Sequence, residues 1–189
     1  PRIFFPLGFR KSANPLRVGL VGTFSAKVKG IREALEGLRL ARERGLELEV
    51  HRASAEPLQD EEAALGITDH FHHRLPTVQM PGFYADIDAL LFPSTEQEGF
   101  GLPVLEAMSC GVPVAHSDIP SLQDLPDGST IRFPVGDAQA MADAMSRLAD
   151  PELRSRMRSG GLSAVDEFRP HSLVTRLEEA LRNEGCPMP

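Results

Sequence analysis

A chain of 189 residues with 41% hydrophobic and 25% charged side chains has the size and make-up of one globular domain with an appendage; two full domains would be cramped. Its net charge of −7, with Lys and Arg scattered, repels polyanions and argues against nucleic acid as the main partner, and no apolar run is long enough to span a bilayer. Cys110 and Cys186 are too few for a disulfide framework and lack paired zinc-ligand spacing, so a cytoplasmic, reducing setting is expected.

Residues 1–16 read as a lead or the remnant of an interdomain linker. Pro1 to Gly8 has no initiator Met and resembles neither a signal peptide nor a capped element, as in a piece of a longer chain. One domain is expected over 17–168, and a C-terminal helix and tail over 169–189. Val18 to Val21 predicts a strand ending at Gly22, and helical spacing follows at Ile31, Ala34, Leu35, Leu38 and Ala41. After the Gly45 turn, Leu46, Leu48 and Val50 alternate with Glu47, Glu49 and His51, which predicts a strand with one wetter face. Residues 52–68 are polar, with a short helix around Asp60 to Leu65 and a third strand over His70 to Leu75. The apolar run Ala89 to Phe92, closed by Pro93, suits a central parallel strand covered on both faces.

A helix is expected from about Pro103 to Cys110, with Gly111 as its stop, and Val112 to Ala115 and Ile131 to Val135 supply two further strands. The remainder reads helical: Met141, Ala142, Met145 and Leu148 share one face, as do Leu173, Leu177, Ala180 and Leu181. Strands alternating with helices predict an α/β fold: a Rossmann-like parallel sheet of about six strands with helices on both faces. Ligands of such sheets sit beyond the carboxyl ends of the strands, where the loops Thr23 to Gly30 and Pro93 to Leu102 fall.

The segment Glu98-Gly99-Phe100-Gly101-Leu102-Pro103-Val104-Leu105-Glu106 brackets a glycine-flanked turn and a helix start with two acids. Glycines allow close approach of the backbone to a ligand, and the helix start offers free N–H groups suited to a diphosphate. A carboxylate instead accepts hydrogen bonds from hydroxyls, Glu106 from a ribose and Glu98 from a sugar. A sugar nucleotide carries both kinds of group. On spacing alone, Glu106 as a surface residue, Glu98 as a local cap and the glycines as a tight connection fit equally well.

The chain resembles the C-terminal domain of the large retaining glycosyltransferase family of GT-B fold that includes glycogen synthases, sucrose synthases and many bacterial sugar transferases. The resemblance rests on Phe92-Pro93-Ser94, Glu98 to Pro103, Leu105-Glu106-Ala107-Met108 and Cys110 to Val114, and extends over roughly residues 17 to 181. It implies an E-x7-E donor site in which Glu98 faces the sugar hydroxyls and Glu106 holds the ribose. The backbone from Phe100 to Leu102 meets the phosphate and the transferred sugar. Lys29, in a Lys-Gly pair with Gly30, then neutralises the departing diphosphate. The resemblance also implies a nucleotide-diphosphate-sugar donor with no separate cofactor. The acceptor is held by an N-terminal domain absent from this chain, and any membrane association comes through that half. The fragment alone is expected to bind donor without turnover.

Two positions depart from that pattern. Thr23 stands where an Arg usually grips the diphosphate, with Lys27 or an arginine elsewhere as candidate substitutes, and His51-Arg52-Ala53-Ser54 replaces the usual glycine-rich loop. A nucleotide-sugar epimerase and a non-catalytic scaffold module are the competing readings. No metal is expected: His70 and His72 share a strand face, with His73 opposite, but two histidines without a third ligand read as structural. Asp86 and Asp88 read as turn and cap residues, and Cys110 as a small buried side chain.

Overall fold

The computed structural model describes residues 3–8 and 14–168. The helix expected around Leu173 to Leu181 lies outside the described residues. Six strands, β1 (Leu16–Val21), β2 (Leu48–Ser54), β3 (His70–His73), β4 (Ala89–Phe92), β5 (Val114–Ser117) and β6 (Thr130–Phe133), form one parallel sheet in the order β3-β2-β1-β4-β5-β6. Among the described residues six α-helices are interleaved: α1 (Ile31–Glu43), α2 (Asp60–Ala64), α3 (Met80–Ala85), α4 (Leu102–Cys110), α5 (Ala138–Leu148) and α6 (Pro151–Glu167).

Alternation along the central strands divides the core into two layers. Ala89 and Leu91 of β4 pack with α1 and α5 on one face, while Leu90 and Phe92 pack with α3, α4 and α6 on the other. All four β4 residues are buried, as an apolar run without polar alternation requires. At the amino-terminal edge, Asp88 is more than a turn residue: its carboxylate accepts from the Arg17 backbone N–H and from two guanidinium nitrogens at 3.0–3.1 Å, clamping β1 to β4.

Several boundaries differ from the sequence reading. β2 starts at Leu48 and runs on to Ser54, and its supposedly wet face is mostly covered: Glu49 is half-buried and His51 is buried, and on the opposite face Arg52 is buried as well. The reason is its interior position between β1 and β3. The Arg52 guanidinium donates to Glu62 of α2 at 2.6 Å and to the carbonyls of Leu20 and Gly22 at 3.2 and 3.1 Å. β3 stops at His73, because Arg74 adopts φ 53°, in the left-handed region that ends an extended chain. β5 and β6 are shifted to Val114–Ser117 and Thr130–Phe133. The short α3, with Pro81 and Gly82 inside it, is held by burial of Phe83 and Tyr84 rather than by propensity.

Candidate functional site

The strand order reverses between β1 and β4, so the crevice beyond their carboxyl ends is where an open α/β sheet receives a ligand. The loop after β1 and the loop after β4 meet there. Thr95 N–H donates to the Val28 carbonyl at 2.8 Å, joining the two backbones. Gly30 caps α1 at φ 58°, and a Cβ on it would lie 2.1 Å from the Pro93 carbonyl oxygen. Only glycine meets both conditions. Gly30→Ala is therefore expected to cost about 3 kcal/mol from strain and overlap, read as a lowered urea midpoint.

Lys29 closes a short 3-10 turn, Lys27–Lys29, and its aliphatic stem lies against Gly22, whose added Cβ would be 3.2 Å from it. Its ammonium donates to Glu98 Oε2 at 2.7 Å, and the buried Ser94 hydroxyl donates to the same oxygen at 3.0 Å. Burial pushes the Glu98 carboxyl up, but the hydrogen bonds from Lys29 and Ser94 outweigh it and leave Glu98 below the usual range, ionised at neutral pH. The first acid of the pair is thus tied to the lysine of the opposite loop.

Glu106 is held differently. It is half-buried on α4 and accepts a hydrogen bond from the Tyr84 hydroxyl at 2.9 Å. Burial raises its carboxyl, opposed by that bond. Burial and the nearby Glu106 charge keep the Tyr84 phenol neutral, as a donor. Between the acids, Gly101 takes φ 66° as the N-cap of α4, and a Cβ there would meet the Leu122 side chain at 2.9 Å. Gly99 carries no such constraint; nothing lies within 4 Å of the position its Cβ would take. Phe100 and Leu102 are 53% and 58% exposed, so the bend is open rather than packed shut, and the α4 N-cap, Gly101, has no side chain to cover the helix start.

A cavity of about 310 Å³ opens at the carboxyl ends of β1, β2 and β3, lined by residues that include Gly22, Thr23, Lys29, Ser54, Arg74 and Met80. Lys29 thus belongs to this cavity and to the Glu98 pair at once. Glu98, Phe100, Leu102 and Glu106 do not line it; they flank the crevice from the β4 side. Lys27 faces a separate groove with Phe24, Arg32 and Asp60, whereas Arg74, a residue the sequence reading passed over, lines the cavity with Thr23. Its position just past β3, at a strand's carboxyl end, was the available signal. Ser94 and Tyr84 were also missed as partners of the two acids, since nothing local in sequence joins Tyr84 to Glu106.

Where the family usually has a glycine-rich loop, the last residues of β2 stand instead: Ala53 and Ser54 wall the cavity while Arg52 turns away into its buried ion pair. Cys110 is buried, and burial pushes its thiol up to about 11, the state of an inert core residue.

The sequence profile described as glycosyl transferases group 1 matches residues 15–150. The chain belongs to the group 1 glycosyltransferases. Within this family it is 33% identical over 109 residues to the O-antigen chain mannosyltransferase B of Escherichia coli, a match covering 57% of this chain and 28% of that protein. The chain therefore spans well under half of that relative. Among solved structures, the C-terminal domain of a group 1 family protein, LpcC, from Francisella tularensis superposes with a TM-score of 0.69 at 20% identity, covering 87% of this chain and 94% of that one. A TarM variant from S. aureus in complex with UDP superposes with a TM-score of 0.77 at 20% identity, covering 96% of this chain and 37% of that one. At such identities the likeness shows the GT-B half-fold. Among the described residues of this group 1 domain, no helix is long and apolar enough to cross a membrane.

Proposed function

We propose that this domain binds the nucleoside diphosphate sugar of a retaining glycosyl transfer, with the diphosphate at Lys29 and the sugar and ribose hydroxyls at Glu98 and Glu106. The observation that carries the reading is the 2.7 Å pair between Lys29 and Glu98, which joins a cavity beneath β1 to β3 with the acid-flanked bend before α4. The UDP held by the TarM variant and the mannosyl transfer named for the E. coli relative support a nucleotide-sugar donor, and a mannosyl donor is the first to test.

The chemistry follows from the charges. As the bond from sugar to diphosphate breaks, negative charge gathers on the departing oxygen, and a lysine already positioned there stabilises that charge without reorganising. Glu98 keeps the ammonium aimed, and backbone groups from Gly99 to Leu102 approach the phosphate and sugar on the open bend. Arg74 lines the same cavity as the uncharged Thr23 and supplies the second positive charge that position 23 lacks. The acceptor belongs to a further, N-terminal domain, so this domain alone binds donor without turnover.

Calorimetry with UDP and GDP tests the reading. Binding of at least one is expected, and Glu106→Ala should weaken it by about 1.5–3 kcal/mol, the range for a hydrogen bond to a charged group. An unchanged dissociation constant would remove Glu106 from the site. Heat with neither nucleotide would favour a non-catalytic scaffold, the reading that Thr23 in place of Arg motivates. Membership of the transferase family weighs against an epimerase.

A further inference from the structure

Strands β2 and β3 pair in parallel with His51 opposite His70 and Ala53 opposite His72. Because alternate residues share a strand face, Glu49 and His51 stand beside His70 and His72, on the opposite face of β2 from Arg52 and its α2 partner. The His51 and His70 rings lie 4.5 Å apart between centroids, and His72 stacks on His51 at 6.2 Å and 14°. Glu49 Oε1 touches His70 Nε2 and lies 3.3 Å from His51 Nε2. One ligand atom from each of Glu49, His51 and His70 falls within 4.8 Å of the other two.

His51 is 7% exposed, and among the described residues neither of its buried ring nitrogens has a hydrogen-bond partner; the 3.3 Å approach to Glu49 lacks hydrogen-bond geometry. His72 Nε2 is likewise buried without one. Leaving such groups unpaired is costly, and imidazole lone pairs converging on a carboxylate are what a cation satisfies.

We propose that Glu49, His51 and His70 bind a divalent transition-metal ion of the zinc class. Two ligand atoms each about 2.0–2.1 Å from a tetrahedral ion lie about 3.3 Å apart. The Glu49–His51 separation already has that value, and His70, whose side chain is 50% exposed, closes the rest by rotation about its own bonds. Two imidazoles and one carboxylate select Zn²⁺, Ni²⁺ or Cu²⁺ over the oxygen-seeking Mg²⁺ and Ca²⁺. Glu49, His51 and His70 do not line the donor cavity; His51 precedes Ala53, the first β2 residue on its wall, by about 7 Å of strand. Its ligands come from two neighbouring strands, so the ion ties the four-residue edge strand β3 to β2.

The test is a titration of the untagged, chelator-stripped chain with Zn²⁺, and with Mg²⁺ as a control, in a calorimeter. One Zn²⁺ per chain is expected, no Mg²⁺ binding, and a rise in the thermal midpoint when Zn²⁺ is added. H70A and E49Q should each weaken Zn²⁺ binding at least about 10- to 100-fold, the range seen even for outer-shell changes, and abolish the thermal shift. Both replace side chains that are at least 30% exposed, so they keep the fold where H51A could lose it. H73A, on the other strand face, should bind as the unaltered protein does. No Zn²⁺ binding, or binding that H70A and E49Q leave intact, would overturn the proposal. The donor calorimetry above is independent of either result.

Discussion

On the proposed function, Lys29→Ala, made in a chain that also carries the proposed acceptor-binding domain, is expected to lower kcat by about 100- to 1000-fold, the range for removing one preorganised donor to a developing oxyanion. Donor affinity should fall much less. In the proposed transfer the diphosphate charge is spread over several solvated oxygens in the ground state and concentrates on the departing oxygen, beside Lys29, in the transition state. Among the described residues, the substitution also leaves Glu98 with only the Ser94 hydroxyl as a side-chain partner in a largely covered position, its side chain 12% exposed. Lys29→Arg separates the two effects: it restores a partner to Glu98 but not the compact ammonium. Single-turnover rates set beside calorimetric donor binding make the measurement. Equal losses in rate and affinity would reduce Lys29 to an anchor.

The second large effect is structural. Glu62→Ala should destabilise the domain by about 3–5 kcal/mol, because it strands the Arg52 guanidinium, 0% exposed, without its counter-charge. For a domain whose net stability is on the order of 5–15 kcal/mol that is a large share. Urea unfolding reads it directly. The damage should reach the donor cavity, since Arg52 also holds the carbonyls of Leu20 and Gly22 at the end of β1, where the Thr23 to Gly30 loop begins. Replacing both partners with leucine should recover part of the loss, as paired apolar side chains carry no desolvation penalty. A Glu62→Ala midpoint within error of the unaltered protein would show that water reaches the pair.

Both predictions involve a residue that local sequence describes incompletely. The apolar run at Ala89 to Phe92 and its closing proline announced a central strand without help, because burial on both faces leaves no room for polar alternation. The alternation at Leu46 to Val50 was legible too, but its end was misjudged: Arg52 looks like an exit to solvent until Glu62, ten residues on, is seen folded beside it. At the acid-flanked bend, the spacing of Glu98, Gly101 and Glu106 fitted a ligand site and a plain surface turn equally well, and the family resemblance favoured the first. That Lys29 reaches Glu98, and that Tyr84 holds Glu106, could not, for each pair is formed by packing between distant elements.

By itself, then, the sequence determined what depends on neighbours in the chain: the two periodicities, the glycines at positive φ, the helix start after Gly101 and the family motif. The tertiary structure alone decided which charges meet. It paired Lys29 with Glu98, buried Arg52 against Glu62, turned Lys27 away while bringing Arg74 into the cavity, and set His51 beside His70 with Glu49 between them. The physical reason is range: backbone geometry is set within a few residues, whereas a desolvated charge finds its partner through sheet register and strand order, which no short window of sequence contains.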